Sequence, residues 1–247
     1  MGISRSDQEE VETTSITQPR VGRCRSTYRS WRRRPLVAKV EYLLFWKARR
    51  MPGVRRLLHR LFEADLRRLN DTLASTPLSG KYWVWGGLLL GWAREGRVLV
   101  HDDMDADFCV LSDDWDSLEY ALPKLHRSGF RGHLRFRDPS GLTTILVLVR
   151  HGARFEFYRM RQAKEKLLFS VYGTYLGEQF EVTQFIPSDT LEPFLFLGRT
   201  WLKAKHHERE LAHLYGQWRQ PEENWSYIAP KHYEIERKPW VTATSKW

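Results

Sequence analysis

Apolar and polar positions follow two rhythms along this chain. From residue 82 onward, short apolar runs bounded by turn residues predict strands over about residues 82–85, 107–111, 143–149, 154–158 and 179–186. Between the first two, Leu88–Arg94 has helical character. Residues 31–68 instead set Trp46, Leu57, Leu58, Leu61, Phe62 and Leu66 among arginines, which predicts basic amphipathic helix interrupted at Pro52-Gly53. The first 30 residues are polar and lack periodicity, so they are expected to be disordered. The expected organisation is therefore a polar and basic arm (1–30), a basic amphipathic helical segment (31–75), a folded domain (76–240) and a tail (241–247). The expected fold is α/β or α+β: a small mixed, mostly antiparallel sheet with helices packed on one face.

Charge refines this division. Residues 1–70 hold 17 Lys+Arg against 7 Asp+Glu, whereas residues 71–247 hold 23 of each, so the whole excess of +10 belongs to the N-terminal part. An electrically balanced domain does not suit nucleic acid, which is not an expected partner. The basic segment 31–68 has two readings: a helical face packing its apolar side on the domain, or an interfacial helix in peripheral contact with anionic membrane. The longest apolar candidate, Pro35–Trp46, is broken by Lys39 and Glu41, and the N-terminus has no apolar signal region. No signal peptide or transmembrane helix is expected, and the expected location is cytoplasmic, peripheral at the membrane surface. Cys24 and Cys109 are expected to stay unpaired, and two cysteines exclude a Cys-based zinc site.

Two features carry chemistry. Tyr82-Trp83-Val84-Trp85 runs into Gly86-Gly87 and then a helix, a junction that gathers backbone N–H groups and the positive end of a helix dipole, with no side chain to keep an anion away. Arg94, later on that helix, is the guanidinium placed nearest such an anion. The second feature is His101-Asp102-Asp103-Met104-Asp105-Ala106-Asp107-Phe108. On a strand, Asp103, Asp105 and Asp107 share one face, and their repulsion is relieved by an oxygen-bound divalent cation. On a later helix, His206, Glu210 and His213 fall near one face without a zinc spacing, and are read as a solvated surface.

The run GGLLLGWAREGRVLVHDDMDADFCVL resembles the LicD and fukutin family of the DNA polymerase β-like nucleotidyltransferase superfamily, whose pattern reads approximately GG-[ST]-LLG-x-x-R-x-G-x-x-[IL]-P-[WH]-D-x-D-x-D. Arg154-Phe155-Glu156-Phe157-Tyr158 looks like the strand bearing the family's third acid, Ile186-Pro187-Ser188-Asp189 like its IPSD turn, and Tyr215-Gly216-Gln217-Trp218 with Pro221 like its Y-G-x-x-W-x-x-P signature. The resemblance spans roughly residues 55–230. Leu88 stands where the pattern has Ser or Thr, and Glu156 where many relatives have Asp. The resemblance implies a nucleotidyltransferase-like fold and a phosphotransferase moving a phosphocholine or phospho-alditol group from a CDP-linked donor to a glycan or glycolipid hydroxyl, with release of CMP. It implies Asp105, Asp107 and Glu156 as catalytic residues, Mg2+ or Mn2+ on Asp103, Asp105 and Asp107, and donor phosphate on Gly86, Gly87 and Arg94. The alternatives are nucleotidyl transfer from an NTP releasing pyrophosphate, and a catalytically decayed membrane-surface adaptor.

Overall fold

The computed structural model describes residues 51–99, 104–175, 178–222 and 232–240. The arm, the first half of the basic segment and the tail lie outside the described residues. Helix α1 (Pro52–Leu73) begins at the pair expected to break the segment, because a proline in the first helical turn has no N–H to leave unpaired. Leu58, Phe62, Leu66, Leu69 and Leu73 recur at helical spacing and are buried, while Arg55, Arg56, Arg60 and Arg68 face outward. No described helix is long and apolar enough to cross a membrane.

The rest of the chain is a mixed, mostly antiparallel α+β fold. Strand β1 (Tyr82–Trp85) runs into α2 (Gly86–Glu95), and β2 (Asp105–Leu111) pairs antiparallel with β1. A 3-10 turn (Ser112–Asp114) and α3 (Trp115–Arg127) lead to the hairpin of β3 (Arg131–Arg137) and β4 (Thr143–Arg150). Strand β5 (Ala153–Ala163) lies between β4, antiparallel, and β2, which it pairs in parallel. Its far end pairs with β6 (Lys166–Tyr175), followed by β7 (Glu178–Pro187) and β10 (Glu234–Pro239), while β8 (Leu191–Phe196) and β9 (Arg199–Ala204) form a separate hairpin before α4 (His207–Tyr215). The five expected strands are present, the first with the expected bounds and the other four longer; β3, β6, β8, β9 and β10 are additional among the described residues.

The sheet has a core on each face. Phe62, Leu66, Leu89, Phe108, Leu118, Phe155 and Phe157 fill the side covered by α1, α2 and α3. Trp83, Trp85, Cys109, Met160, Phe169, Ile186 and Tyr233 fill the other. Helix α4 departs from the expectation of helices on one face, since Leu211 joins the first core and Leu214 the second. Helix α1 is fastened through buried Asp65, which accepts from Arg150 Nε at 2.7 Å and lies 2.8 Å from His151 Nδ1. That contact fixes the β4–β5 turn, where His151 and Gly152 both take positive φ as a tight two-residue hairpin requires.

Candidate active site

Strand alternation and register assemble the acids. On the face away from α1–α3, one cross-strand row reads Trp85, Asp107, Glu156, Val147 and the next Trp83, Cys109, Tyr158, Ile145. Asp105 precedes Asp107 on the same face, while Ala106 and Phe108 point into the helix-side core. Asp105, Asp107 and Glu156 can each bring a carboxylate oxygen within 4.8 Å of the other two. A set of hard oxygen donors at such separations fits Mg2+ or Mn2+ better than a soft metal. Asp103, the remaining member of the expected set, lies outside the described residues.

The glycine junction meets these acids directly. Gly86 has φ +58°, and a Cβ built there would overlap Asp107 Oδ2 and lie 3.2 Å from its Cβ and Cγ. Helix α2 starts at this point with no side-chain cap, so the amides of its first turn are not satisfied by a capping side chain. Their partial positive charge favours the neighbouring carboxylate and suits an incoming anion. Gly87 is the second residue of that turn. Leu88 is 2 % exposed and packs into the helix-side core. Arg94 is carried eight residues along the helix from Gly86, about 12 Å at the usual rise. It pairs there with Glu95 at 3.5 Å instead of meeting the acids.

A different arginine does meet them. Arg154 Nη2 donates to Asp105 Oδ2 at 2.5 Å, and its Nε lies 3.4 Å from Glu156 Oε1. Glu156, with Asp105 adding to it, holds the Arg154 proton more tightly than usual against the opposing effect of burial. Tyr158 donates its hydroxyl to Glu156 Oε2 at 3.0 Å. Burial first, and then the three carboxylates, push its phenol well above the usual range, so it remains an O–H donor. Trp85 packs edge-on against Tyr158 and Phe169 at 4.9 and 4.8 Å, closing one side. The signal that could have singled out Arg154 and Tyr158 from sequence is parity: residues 154, 156 and 158 share a face of one strand.

Residues 80–177 match the family described as LicD/FKTN/FKRP, nucleotidyltransferase domain. Over those residues the chain is similar to the LicD/fukutin family. The match lies within the span 55–230 of the sequence resemblance and contains Gly86, Asp105, Asp107, Arg154 and Glu156. The LicD family is transferase-like, with a phosphotransferase-like, glycan-modifying role, and generally uses a divalent metal. No curated protein matches the chain.

Helix α4 corrects the reading of its own face. Glu210 is 2 % exposed, because α4 packs between β7 and β9, and His213 Nε2 lies 3.0 Å from the Phe185 carbonyl. His206 stays exposed against Asp189. Trp218 is buried in the core and Trp240 packs against Phe136 and Tyr172, while Trp225 lies outside the described residues.

Desolvation, helped by Asp189, pushes Glu210 up from 4.5 to about 8. The folded chain therefore binds one proton more than the unfolded chain between these values, so stability is full below pH 4.5 and falls as pH rises toward 8. At roughly 1.4 kcal/mol per pKa unit, the loss amounts to several kcal/mol. Melting temperatures measured from pH 5 to pH 8 should decline in the wild type and decline less in Glu210→Gln; parallel curves would remove Glu210 as the cause.

Proposed function

We propose that this domain is a metal-dependent phosphotransferase acting on a CDP-linked donor and a glycan or glycolipid hydroxyl, releasing CMP. The observation that carries the reading is the meeting of Asp105, Asp107 and Glu156 beside the uncapped start of α2. The three carboxylates would hold Mg2+ or Mn2+, which when bound supplies positive charge against the donor diphosphate. Amides at Gly86 and Gly87 receive donor phosphate oxygens. The acceptor oxygen bonds to the distal phosphorus as the bridging P–O bond to CMP breaks, and Glu156 takes the hydroxyl proton. Tyr158 orients Glu156 by donating to one of its oxygens, while the other lies on the side of Arg154 and Asp105. Residues 31–68 provide the peripheral contact with anionic membrane, at a cytoplasmic surface.

Arg154 has two jobs in this reading. It balances the acids in the ligand-free protein, and with those acids holding a cation its half-exposed guanidinium would be available to donor phosphate. Arg154→Gln should therefore tighten Mn2+ binding, read by titration calorimetry, while raising the KM for donor roughly tenfold. Unchanged metal affinity together with unchanged KM would discard both jobs.

The deciding experiment incubates the full chain with Mg2+ or Mn2+, CDP-linked donors, NTPs and sugar acceptors, and reads CMP against pyrophosphate by mass spectrometry. CMP that disappears in Asp107→Asn supports the phosphotransferase, and pyrophosphate replaces it with nucleotidyl transfer. The ion pairs of Arg154 with Asp105 and Glu156 favour a second reading, a non-catalytic adaptor whose acids are neutralised internally. That reading expects neither product and no cation bound at millimolar concentration.

A further inference from the structure

On the helix-covered side of the molecule, away from the acids, α1, the end of α3 and Arg199 of β9 line an open surface cleft of about 470 Å³. Its lining brings together Arg67 and Arg68 of α1, Lys124 of α3 and Arg199 of β9, against a single carboxylate, Asp71. Asp71 is already engaged: Arg199 Nε and Nη2 donate to its two oxygens at 2.6 and 2.9 Å. That fork, with the field of Arg67 behind it, holds the Asp71 carboxyl below the usual range. Lys124 Nζ donates to Ser75 Oγ at 2.7 Å and to the Ser75 carbonyl at 3.3 Å, which keeps the ammonium at the cleft wall without neutralising it. Among the described residues no carboxylate forms an ion pair with Arg67, Arg68 or Lys124.

Three cations beyond the one that is neutralised, drawn into one concavity, repel one another. An anion with several charges relieves this, and two guanidiniums beside an ammonium suit clustered phosphate oxygens better than a single carboxylate. We propose that this cleft binds a multiply charged phosphate group, either on a soluble phosphate ester or on the headgroup of an anionic lipid. One wall is the α1 segment from Ala64 to Ser75, which includes the outward-facing Arg68 and follows Arg55, Arg56 and Arg60 on the same helix.

Titration calorimetry of the full chain with inorganic pyrophosphate, in metal-stripped buffer, tests the soluble source. Sedimentation with phosphatidylcholine vesicles, with and without phosphatidylinositol bisphosphate, tests the lipid source. Saturable pyrophosphate binding weakened at least roughly tenfold by Arg67→Gln combined with Lys124→Gln is expected if a free ester is the ligand. Bisphosphate-dependent sedimentation lost in the same variant, with no pyrophosphate binding, assigns the lipid headgroup. Arg68→Gln, at an exposed position, provides a second variant of intact fold, checked by circular dichroism. Binding that survives all three substitutions, binding lost in Arg154→Gln instead, or no saturable binding of either probe overturns the proposal.

Discussion

Asp107→Asn is expected to lower turnover about a thousandfold while leaving the fold intact. The substitution changes charge without volume, and the side chain sits at the centre of the row joining Trp85 to Glu156. An amide contributes one neutral oxygen where the carboxylate contributes a full negative charge to a cation site. Losing roughly 4 kcal/mol of transition-state charge stabilisation corresponds to about three decades in rate. Steady-state CMP release, with a thermal melt of the same preparation, checks both halves of the expectation. Wild-type turnover in a normally melting Asp107→Asn would discard the acidic cluster as the seat of the chemistry.

Gly86→Ala is expected to damage both stability and rate, by separable routes. An L-residue held at φ +58° costs about 1–2 kcal/mol, and the new methyl must also displace Asp107 Oδ2. Moving a reacting-site group by about 1 Å costs roughly a hundredfold in rate. Gly80 supplies the control: its φ is +75° and a Cβ there meets nothing within 4 Å. Gly80→Ala should lower the melting temperature while preserving kcat, whereas Gly86→Ala should lower both. Equal kinetic behaviour of the two variants would show that the contact with Asp107 has no functional weight.

Much of this site was legible because Ala106, Phe108 and Val110 of β2 and Phe155 and Phe157 of β5 all enter one core and so set the face of the residues between them. The apolar parity of Phe108 and Val110 fixes the parity of Asp105 and Asp107. The parallel pairing that brings Glu156 opposite Asp107 leaves no local mark in the sequence, since the two residues are 49 positions apart. Strands β3 and β10 were harder to read for the opposite reason. Sequences such as RGHLRFR and EIERKP carry charges at sheet margins, where hydrophobic contrast is weak and charge discourages further pairing. In β8, Pro193 interrupts the strand signal. Glu210 misled because a carboxyl on a helix normally marks the wet side, and here α4 is clasped by strands around it. Arg154 shares the parity of Glu156, but that parity carries meaning only once Asp105 is known to lie across the parallel pairing.

The parallel β2–β5 pairing also governs when the protein can become competent. Hairpins β3–β4 and β6–β7 join neighbours in the chain and can close early, whereas β5 must reach back past α3 and the whole β3–β4 hairpin to find β2. The carboxylates therefore converge only at the end of a long loop closure. A nascent or partly opened chain has the residues of the site without the site itself, and the row of acids exists only once the sheet is complete.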